Sequence, residues 1–284
     1  DARQKVTRYP NATDDFSNWY AGKMSGEIWG YTTIGIAKSQ QEMDAYLATL
    51  PNGGQDAIGS GWGAGDIMYA DLNGDGKIDG GAGLLSDSGD KSIIGNSTPR
   101  YNYGITLDAE WKGIDISMFF QGIGKREVEV GGPYFWGAVS NEWQSAGFDE
   151  HWDFFREEGN SLGANLDAYY PKPIFNSNSL IADRNHQTQT RYLQNGAYLR
   201  MKNIQLGYTF PKKWMNTIKI QSLRVYVSGD NLLTFTKMAK MFDPETVDGR
   251  EWWDTDTNQS SKTGNNGKVY PLSKVISFGI NVNF

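Results

Sequence analysis

The sequence predicts an all-β fold in which antiparallel strands of a transmembrane β-barrel are joined by long loops. Three observations predict it: apolar residues that alternate with small or polar ones, connectors that are alternately short and long, and a composition rich in glycine and aromatic residues. The 284-residue chain has 34 glycines, 13% aromatic residues and no cysteine. Such a composition is typical of a β-rich chain that forms no disulfides.

The clearest strand is predicted over residues 274–284. Its apolar positions share one face: Ile276, Phe278, Ile280, Val282 and Phe284. The opposite face is small or polar: Ser277, Gly279, Asn281 and Asn283. Because side chains alternate along a strand, this segment is amphipathic. The pattern fits a barrel strand with one face on lipid and one on a wet lumen, and it also fits a half-buried strand of a soluble sheet.

Four further segments repeat this alternation. Residues 101–111 and 114–121 flank Lys112-Gly113 and predict a hairpin, and residues 203–210 and 223–235 predict two more strands. The alternation changes parity between Met201 and Ile204. This change predicts a β-bulge or the point where the strand leaves the membrane.

The connectors between these strands differ in length from one end of the sheet to the other. Lys112-Gly113 and residues 211–221 are the shorter connectors, whereas residues 124–195 and 237–273 are long and polar. A membrane barrel has tight turns at one rim and large loops at the other, whereas a soluble sandwich keeps short connections at both ends. Aromatic residues cluster at the short-turn rim, either as an interfacial girdle or as core residues of a soluble sheet: Trp111, Tyr208, Phe210, Trp214 and Phe284.

Several function classes are disfavoured by composition. No run of about 18 apolar residues is present, so no transmembrane helix is expected. The net charge of -6 and the lack of clustered Lys and Arg argue against nucleic acid as a partner. His151-Trp152-Asp153, next to Asp149 and Glu150, could be drawn as an acid–base site, and any carboxylate pair as a glycosidase, but sequence proximity does not establish catalytic spacing. With two His, no Cys, no phosphate-binding glycine loop and no nucleophile elbow, the chain is not expected to be an enzyme.

A set of motifs runs in order along nearly the whole chain: residues 26–31 (GEIWGY), 65–79 (GDIMYADLNGDGKID), 94–104 (IGNSTPRYNYG), 198–208 (YLRMKNIQLGY), 228–232 (SGDNL), 243–245 (DPE) and the terminal strand. In the residues and the order of these motifs, the chain resembles the SusC-like (SusC/RagA) family of TonB-dependent outer-membrane transporters. The resemblance implies the C-terminal portion of a large barrel, since a full member has a plug domain and about 22 strands. Residues 1–100 would be mainly extracellular loop, residues 101–284 would be membrane strands with extracellular loops, and the plug would lie outside this chain.

The resemblance also implies a function. The complete protein would import oligosaccharides or peptides across the outer membrane of a Gram-negative cell, beneath a SusD-like surface lipoprotein. TonB would supply energy through the N-terminal part that this chain lacks, and outer-membrane lipid would surround the strands. The alternative is a secreted carbohydrate-binding β-sandwich with a structural calcium. Detergent-dependent solubility would distinguish the two.

Residues 71–79, with the sequence DLNGDGKID, match the first nine positions of a calcium-binding loop. The predicted ligands are the side chains of Asp71, Asn73, Asp75 and Asp79 and the backbone carbonyl of Lys77. Position twelve is Ala82, so the closing carboxylate must come from Asp87 or Asp90. Family members commonly have an acidic residue just before a segment like residues 91–95, which favours Asp90. We expect a structural calcium, and the alternative is a turn that binds no ion.

The long loops are rich in aromatic residues. Sugar rings stack their apolar faces on aromatic side chains, while neighbouring polar groups bind the hydroxyls. Five tryptophans are therefore candidate contacts for a glycan or peptide ligand: Trp136, Trp143, Trp152, Trp252 and Trp253. The alternative is that these aromatic residues only pack the loops against one another.

Overall fold

The computed structural model describes residues 4–140, 145, 147–217, 219–249, 252–254, 259–261 and 267–284. Its strands are β1 (Glu27–Tyr31), β2 (Thr33–Ile36), β3 (Ile67–Tyr69), β4 (Lys91–Asn96), β5 (Arg100–Trp111), β6 (Ile114–Lys125), β7 (Glu127–Val128), β8 (Gln194–Asn195), β9 (Tyr198–Thr209), β10 (Ser222–Thr236), β11 (Trp252–Asp254), β12 (Gln259–Ser261) and β13 (Val275–Asn283). The helices are α1 (Gln40–Leu47), α2 (Gly132–Trp136), α3 (Ser179–Ala182) and α4 (Lys212–Thr217), with a 3-10 helix at Asp149–Trp152. Within these residues, no helix has both the length and the apolarity needed to cross a bilayer.

The five long strands form one antiparallel sheet in the order β13-β10-β9-β6-β5. Each strand pairs with its neighbour in sequence, so the sheet is an up-and-down meander, as the alternation predicts. Lys112 and Gly113 both have positive φ, 49° and 86°, which suits a tight hairpin turn. A side chain at position 113 would also press on the backbone of Thr209, so glycine is required there. Strands β6 and β9 extend further towards the long loops than the alternation indicated.

The predicted irregularity between Met201 and Ile204 is a β-bulge. Phe119 pairs with Asn203 and Phe120 pairs with Met201, which leaves Lys202 as the extra residue of β9. The ladder with β10 shifts at the same place. The extra residue changes which face each side chain occupies, and this explains the change of parity in the sequence.

One face of the sheet is apolar across all five strands. The register aligns a continuous row along it: Ile280, Val225, Tyr208, Ile114 and Trp111. These residues are not buried, and Ile280 and Phe278 are 68% and 84% exposed. A second sheet would cover such a face in a β-sandwich, and the described residues form no such sheet. The apolar face is therefore a surface that suits lipid.

The opposite face of the sheet is polar. Arg224 of β10 donates from Nε to Oδ1 of Asp115 on β6 at 3.0 Å, and Nη2 donates to the side-chain oxygen of Gln205 at 2.9 Å. Asn203 donates to Asp230 at 2.7 Å across β9 and β10. The partly exposed charged pair between Arg224 and Asp115 fits a wet barrel interior.

The hydrophobic core lies in the loops rather than against the sheet. Three segments of the chain contribute to it, for example through Tyr69, Phe135 and Phe242. Phe135 contacts Phe242 with ring centroids 6.2 Å apart and Tyr170 at 5.6 Å. No described residue of the five long strands belongs to this core. The loops thus fold as a packed layer of their own, which we call the loop layer: the described residues within 4–99, 126–197 and 237–249.

Candidate functional site

The loop layer is held together by a buried polar network around Asp66, which is fully buried. Its carboxylate accepts hydrogen bonds from Arg184 Nη2 and Asn185 Nδ2, both at 2.8 Å. Asn185 in turn accepts from the backbone N–H of Ile67 at 2.9 Å. The network therefore joins the loop before β5 to the loop between β6 and β9. Sequence reasoning missed it, because no local pattern reveals a pair separated by 118 positions.

A second cluster attaches the loop after β10 to the barrel wall. The buried side chain of Arg200 on β9 donates to Asp243 at 2.8 Å and to Glu245 at 2.7 Å, and Lys202 donates to Glu245 at 2.9 Å. Asp243 also accepts from the backbone N–H of Leu272 at 3.0 Å, which ties the two ends of that loop together. Both sides of this cluster, which we call the latch, lie in motifs that resemble the SusC-like family, but no local pattern indicates that they pair.

The electrostatics of the latch are set by competing effects on Asp243. Burial alone would raise the pKa of Asp243, but hydrogen bonds from the backbone of Glu245, from the Arg200 guanidinium and from the backbone of Leu272 outweigh it and lower the pKa. The latch therefore contains an ionised carboxylate at neutral pH.

The predicted calcium loop folds as a series of turns closed by its own side chains. Asp71 accepts from the backbone N–H groups of Gly74 and Gly76 at 2.7 and 2.9 Å. Asn73 accepts from the N–H of Asp75 at 3.0 Å, and Asp75 accepts from that of Lys77 at 3.1 Å. In the described part of the chain, no three acidic, histidine or cysteine side chains converge as a ready metal cluster. The oxygen-only donor set is the kind that calcium prefers, and calcium here remains a prediction.

Of the two candidate closing carboxylates, Asp90 lies beside this loop. Asp87 instead accepts a hydrogen bond from the backbone N–H of Ala82. The fully buried carboxylate of Asp90 accepts from the backbone N–H of Leu72 at 2.8 Å and of Asp79 at 2.9 Å, bridging the start and end of the motif. Burial raises the pKa of Asp90 despite these hydrogen bonds. Asp79 is paired with the Lys77 side chain, whose hydrogen bond lowers the Asp79 pKa.

Two of the five candidate tryptophans, Trp136 and Trp152, line one pocket in the loop between β6 and β9. Trp136 stacks on His186 at 4.3 Å and meets Tyr192 edge-on at 4.7 Å, so it also packs the loop. Trp152 is 58% exposed and presents its ring to the pocket. Burial first, and then the negative charges nearby, raise the pKa of Tyr170 in the pocket wall. We call this cavity the aromatic pocket.

None of the other three candidate tryptophans is among the described residues that line the aromatic pocket. Trp143 lies outside the described residues. Trp252 and Trp253 belong to β11, which pairs with β12, and their side chains lie outside what the structure describes. Their roles as ligand contacts remain predictions.

Taken together, the exposed apolar face, the polar opposite face and the loops gathered at one end define the wall of a transmembrane β-barrel with an external loop layer. The aromatic residues predicted for the short-turn rim agree with this placement. Trp111 and Trp214 are largely exposed, and the rings of Tyr208 and Phe210 lie 5.0 Å apart. An interfacial girdle has this character.

Known proteins support this class. No protein-family model matches the chain. The TonB-dependent receptor P3 of Formosa agariphila is 29% identical over 265 residues, covering 93% of this chain and 22% of the relative. The TonB-dependent receptor P26 of the same organism is 26% identical over 261 residues, covering 90% of this chain and 22% of the relative. A solved structure of the RagAB peptide transporter matches 99% of this chain and 26% of its own chain, with a TM-score of 0.61 and 22% identity.

These matches confirm the resemblance that the motifs indicated, since at least 90% of the chain is similar to proteins named TonB-dependent receptors. The chain spans 22% of the length of the curated relatives it matches. The likeness to the RagAB structure also confirms the barrel fold expected from the alternating strands and connectors.

Proposed function

We propose that this chain forms part of the barrel wall and extracellular loops of an outer-membrane importer in a Gram-negative cell. The observation that supports this most directly is the apolar face shared by all five long strands and left uncovered by the described residues. An exposed apolar surface of this extent is unstable in water and suits a bilayer. The alternative of a secreted β-sandwich loses its support, because such a fold would bury this face.

The proposed importer takes up oligosaccharides or peptides with energy from TonB and works with a SusD-like surface lipoprotein. Similarity to TonB-dependent receptors supports the energy source, and the likeness to the RagAB peptide transporter supports uptake of a nutrient. The lipoprotein would contact the loop layer, because that layer lies at the end of the barrel with the long connectors. Calcium at residues 71–79 and Asp90 belongs to the proposal as a structural ion that braces this layer.

Uptake by cells that carry the full-length receptor tests the proposal. We expect accumulation of a fluorescently labelled peptide or oligosaccharide that disappears when the receptor, TonB or the neighbouring lipoprotein is deleted. Uptake that continues unchanged without TonB would contradict the proposal. A receptor that stays soluble without detergent would contradict the membrane assignment.

A further inference from the structure

Two cavities lie side by side in the loop layer, one within the loop between β6 and β9 and one between that loop and the loop after β10. The aromatic pocket has a volume of about 490 Å³ and is walled mainly by apolar residues, including Trp136, Phe148, Trp152, Phe154, Leu162 and Phe175. The second cavity, which we call the charged cleft, has a volume of about 480 Å³ and is lined by Asp149, Glu150, Asp153, Lys237 and Lys240. Asp149 and Tyr170 border both cavities, so one ligand can occupy the two together.

The 3-10 helix Asp149–Trp152 forms the ridge between the two cavities. His151 and Trp152 border the aromatic pocket, Glu150 borders the charged cleft, and Asp149 borders both. This short segment therefore sets an apolar cavity beside a charged one.

The aromatic pocket offers few partners for hydroxyl groups. Both ring nitrogens of His151 are engaged, one accepting from the N–H of Phe148 and the other bonded to the carbonyl of Phe135, each at 3.1 Å. The nearby guanidinium of Arg156 donates to the carbonyls of Trp152 and Gly163, both at 2.8 Å. A sugar ring buried in this pocket would leave most of its hydroxyls without partners, at a cost of about 1–3 kcal/mol each. An apolar side chain has no such cost.

The charged cleft, by contrast, has groups that are free to bind. Among the described residues, no hydrogen bond or ion pair engages the carboxylates of Asp149 and Glu150 or the ammonium groups of Lys237 and Lys240. Asp153 accepts one hydrogen bond from Asn165, at 2.9 Å. Acidic and basic groups thus face the same small volume.

We propose that the aromatic pocket and the charged cleft together form a peptide subsite, in which the pocket takes a large apolar side chain and the cleft takes the charged groups of the peptide. The peptide amine binds Asp149, Glu150 and Asp153, and its carboxylate binds Lys237 and Lys240. This inference rests on the proposed import function and chooses peptides over oligosaccharides for this site.

Charge complementarity favours a short peptide over either type of glycan. A free peptide carries both signs of charge, as the cleft does, and its amine lies within a few bonds of its first side chains. A neutral oligosaccharide leaves the charges of the cleft unpaired. An anionic oligosaccharide can pair with the two lysines of the cleft, but it leaves the three carboxylates of the cleft unpaired and is repelled by them. Only the peptide satisfies both cavities.

Isothermal titration calorimetry on the purified full-length receptor in detergent tests this subsite. The probes are the peptide Gly-Phe-Ala-Ser-Ala, the same peptide with Ser in place of Phe, the N-acetylated Phe peptide, and maltohexaose. The pocket variants are Trp152→Ala and Phe175→Ala, both largely exposed residues whose loss leaves the core intact. The cleft variant is Asp149→Asn combined with Glu150→Gln. Trp19→Ala, an exposed tryptophan outside both cavities, is the matched control.

The wild-type receptor is expected to prefer the Phe peptide to the Ser peptide by about tenfold, the value of one buried aromatic contact. Each pocket variant should remove this preference, and Trp19→Ala should keep it. The cleft variant should lower the affinity for the peptide with a free amine but leave the affinity for the N-acetylated peptide unchanged. Equal affinity of the wild type for the two peptides would overturn the inference. It would also be overturned if the pocket variants lowered the affinity for maltohexaose instead of that for the Phe peptide. Pocket variants that weaken only the association with a lipoprotein partner would overturn it as well.

Uptake measured with and without TonB separates this inference from the proposed function. If the pocket variants import the Phe peptide as fast as the wild type does, and this import depends on TonB, the peptide subsite is overturned and the proposed import function is retained. Pocket-dependent binding without TonB-dependent uptake supports the subsite and contradicts the importer.

Discussion

The barrel sheet and the loop layer use apolar residues in opposite ways. In the sheet, Ile280 is 68% exposed and belongs to a row of apolar side chains that the described residues leave uncovered. In the loop layer, Ile78 and Phe135 are fully buried, and the charged side chain of Asp66 is buried with its partners. The same residue type is thus placed outward in one region and inward in the other.

This difference shows that the two regions are stabilised in different solvents. The loop layer follows the rules of a water-soluble domain, with a packed aromatic core and satisfied buried polar groups. The sheet has the features of a protein in lipid: its backbone hydrogen bonds are formed between neighbouring strands, and its apolar side chains face outward. Changes that damage one region should therefore leave the other folded.

The largest effect is expected from breaking the buried network of the loop layer. Asp66→Ala leaves Arg184 buried without its carboxylate, which typically costs about 3–5 kcal/mol. Hydrogen exchange should show the loop layer opening while the sheet amides remain protected. Asp167→Ala removes an exposed ion pair with Lys38 and should change neither region. Simultaneous loss of protection in the sheet would show that the two regions fold as one unit.

The next effect tests the lipid face of the sheet. Ile280→Arg places a charge among the exposed apolar residues of β13 and should cost about 2–4 kcal/mol near mid-membrane. Asn281→Arg lies on the opposite face, beside Arg224 in the register, and should impair assembly less. Folding into lipid vesicles followed by electrophoretic mobility measures both variants. Equal damage from the two would indicate a sheet with no lipid-facing side.

A smaller effect is expected from calcium at residues 71–79. If the loop binds the ion, calcium at about one hundred times its Kd should stabilise the loop layer by about 2.7 kcal/mol. Asp75→Ala should abolish that gain and leave the sheet unchanged. The control is Asp56→Ala, a carboxylate outside the motif. Differential scanning calorimetry with calcium and with a chelator measures the effect. If calcium leaves the unfolding temperature of the wild-type protein unchanged, the motif is a turn that binds no ion.

The smallest effect is a pH dependence of the latch. Because the folded-state pKa of Asp243 is lowered, its contribution to stability is complete above the unfolded-state pKa of about 3.9 and is lost as pH falls through the lower folded value. Amides of the loop after β10 should therefore stay protected at neutral pH and open only below about pH 4, after correction for intrinsic exchange rates. Asp243→Asn should remove this acid transition. Loss of amide protection in this loop between pH 5 and 7 would contradict the role of Asp243 in the latch.

The sheet could be predicted from sequence because its signals are local. Alternation of period two gives each strand and its outward face, and the parity change at Met201–Ile204 locates the bulge. The loop layer could be predicted only in parts. The inward position of Ile78 follows from the motif, but the pairing of Asp66 with Arg184, and of Arg200 with Asp243, joins residues far apart in sequence and depends on tertiary packing.

The central claim, that the sheet crosses a membrane with the loop layer outside, is tested most directly by cysteine labelling of intact cells. The 284 residues contain no cysteine, so each substitution introduces the single thiol of this region, and labelling is compared with that of the unsubstituted full-length receptor. A membrane-impermeant maleimide should label Leu72→Cys, in the loop layer, on intact cells. It should label Lys112→Cys, in the β5–β6 turn, only after the outer membrane is permeabilised. Labelling of position 112 but not of position 72 on intact cells would contradict the claim.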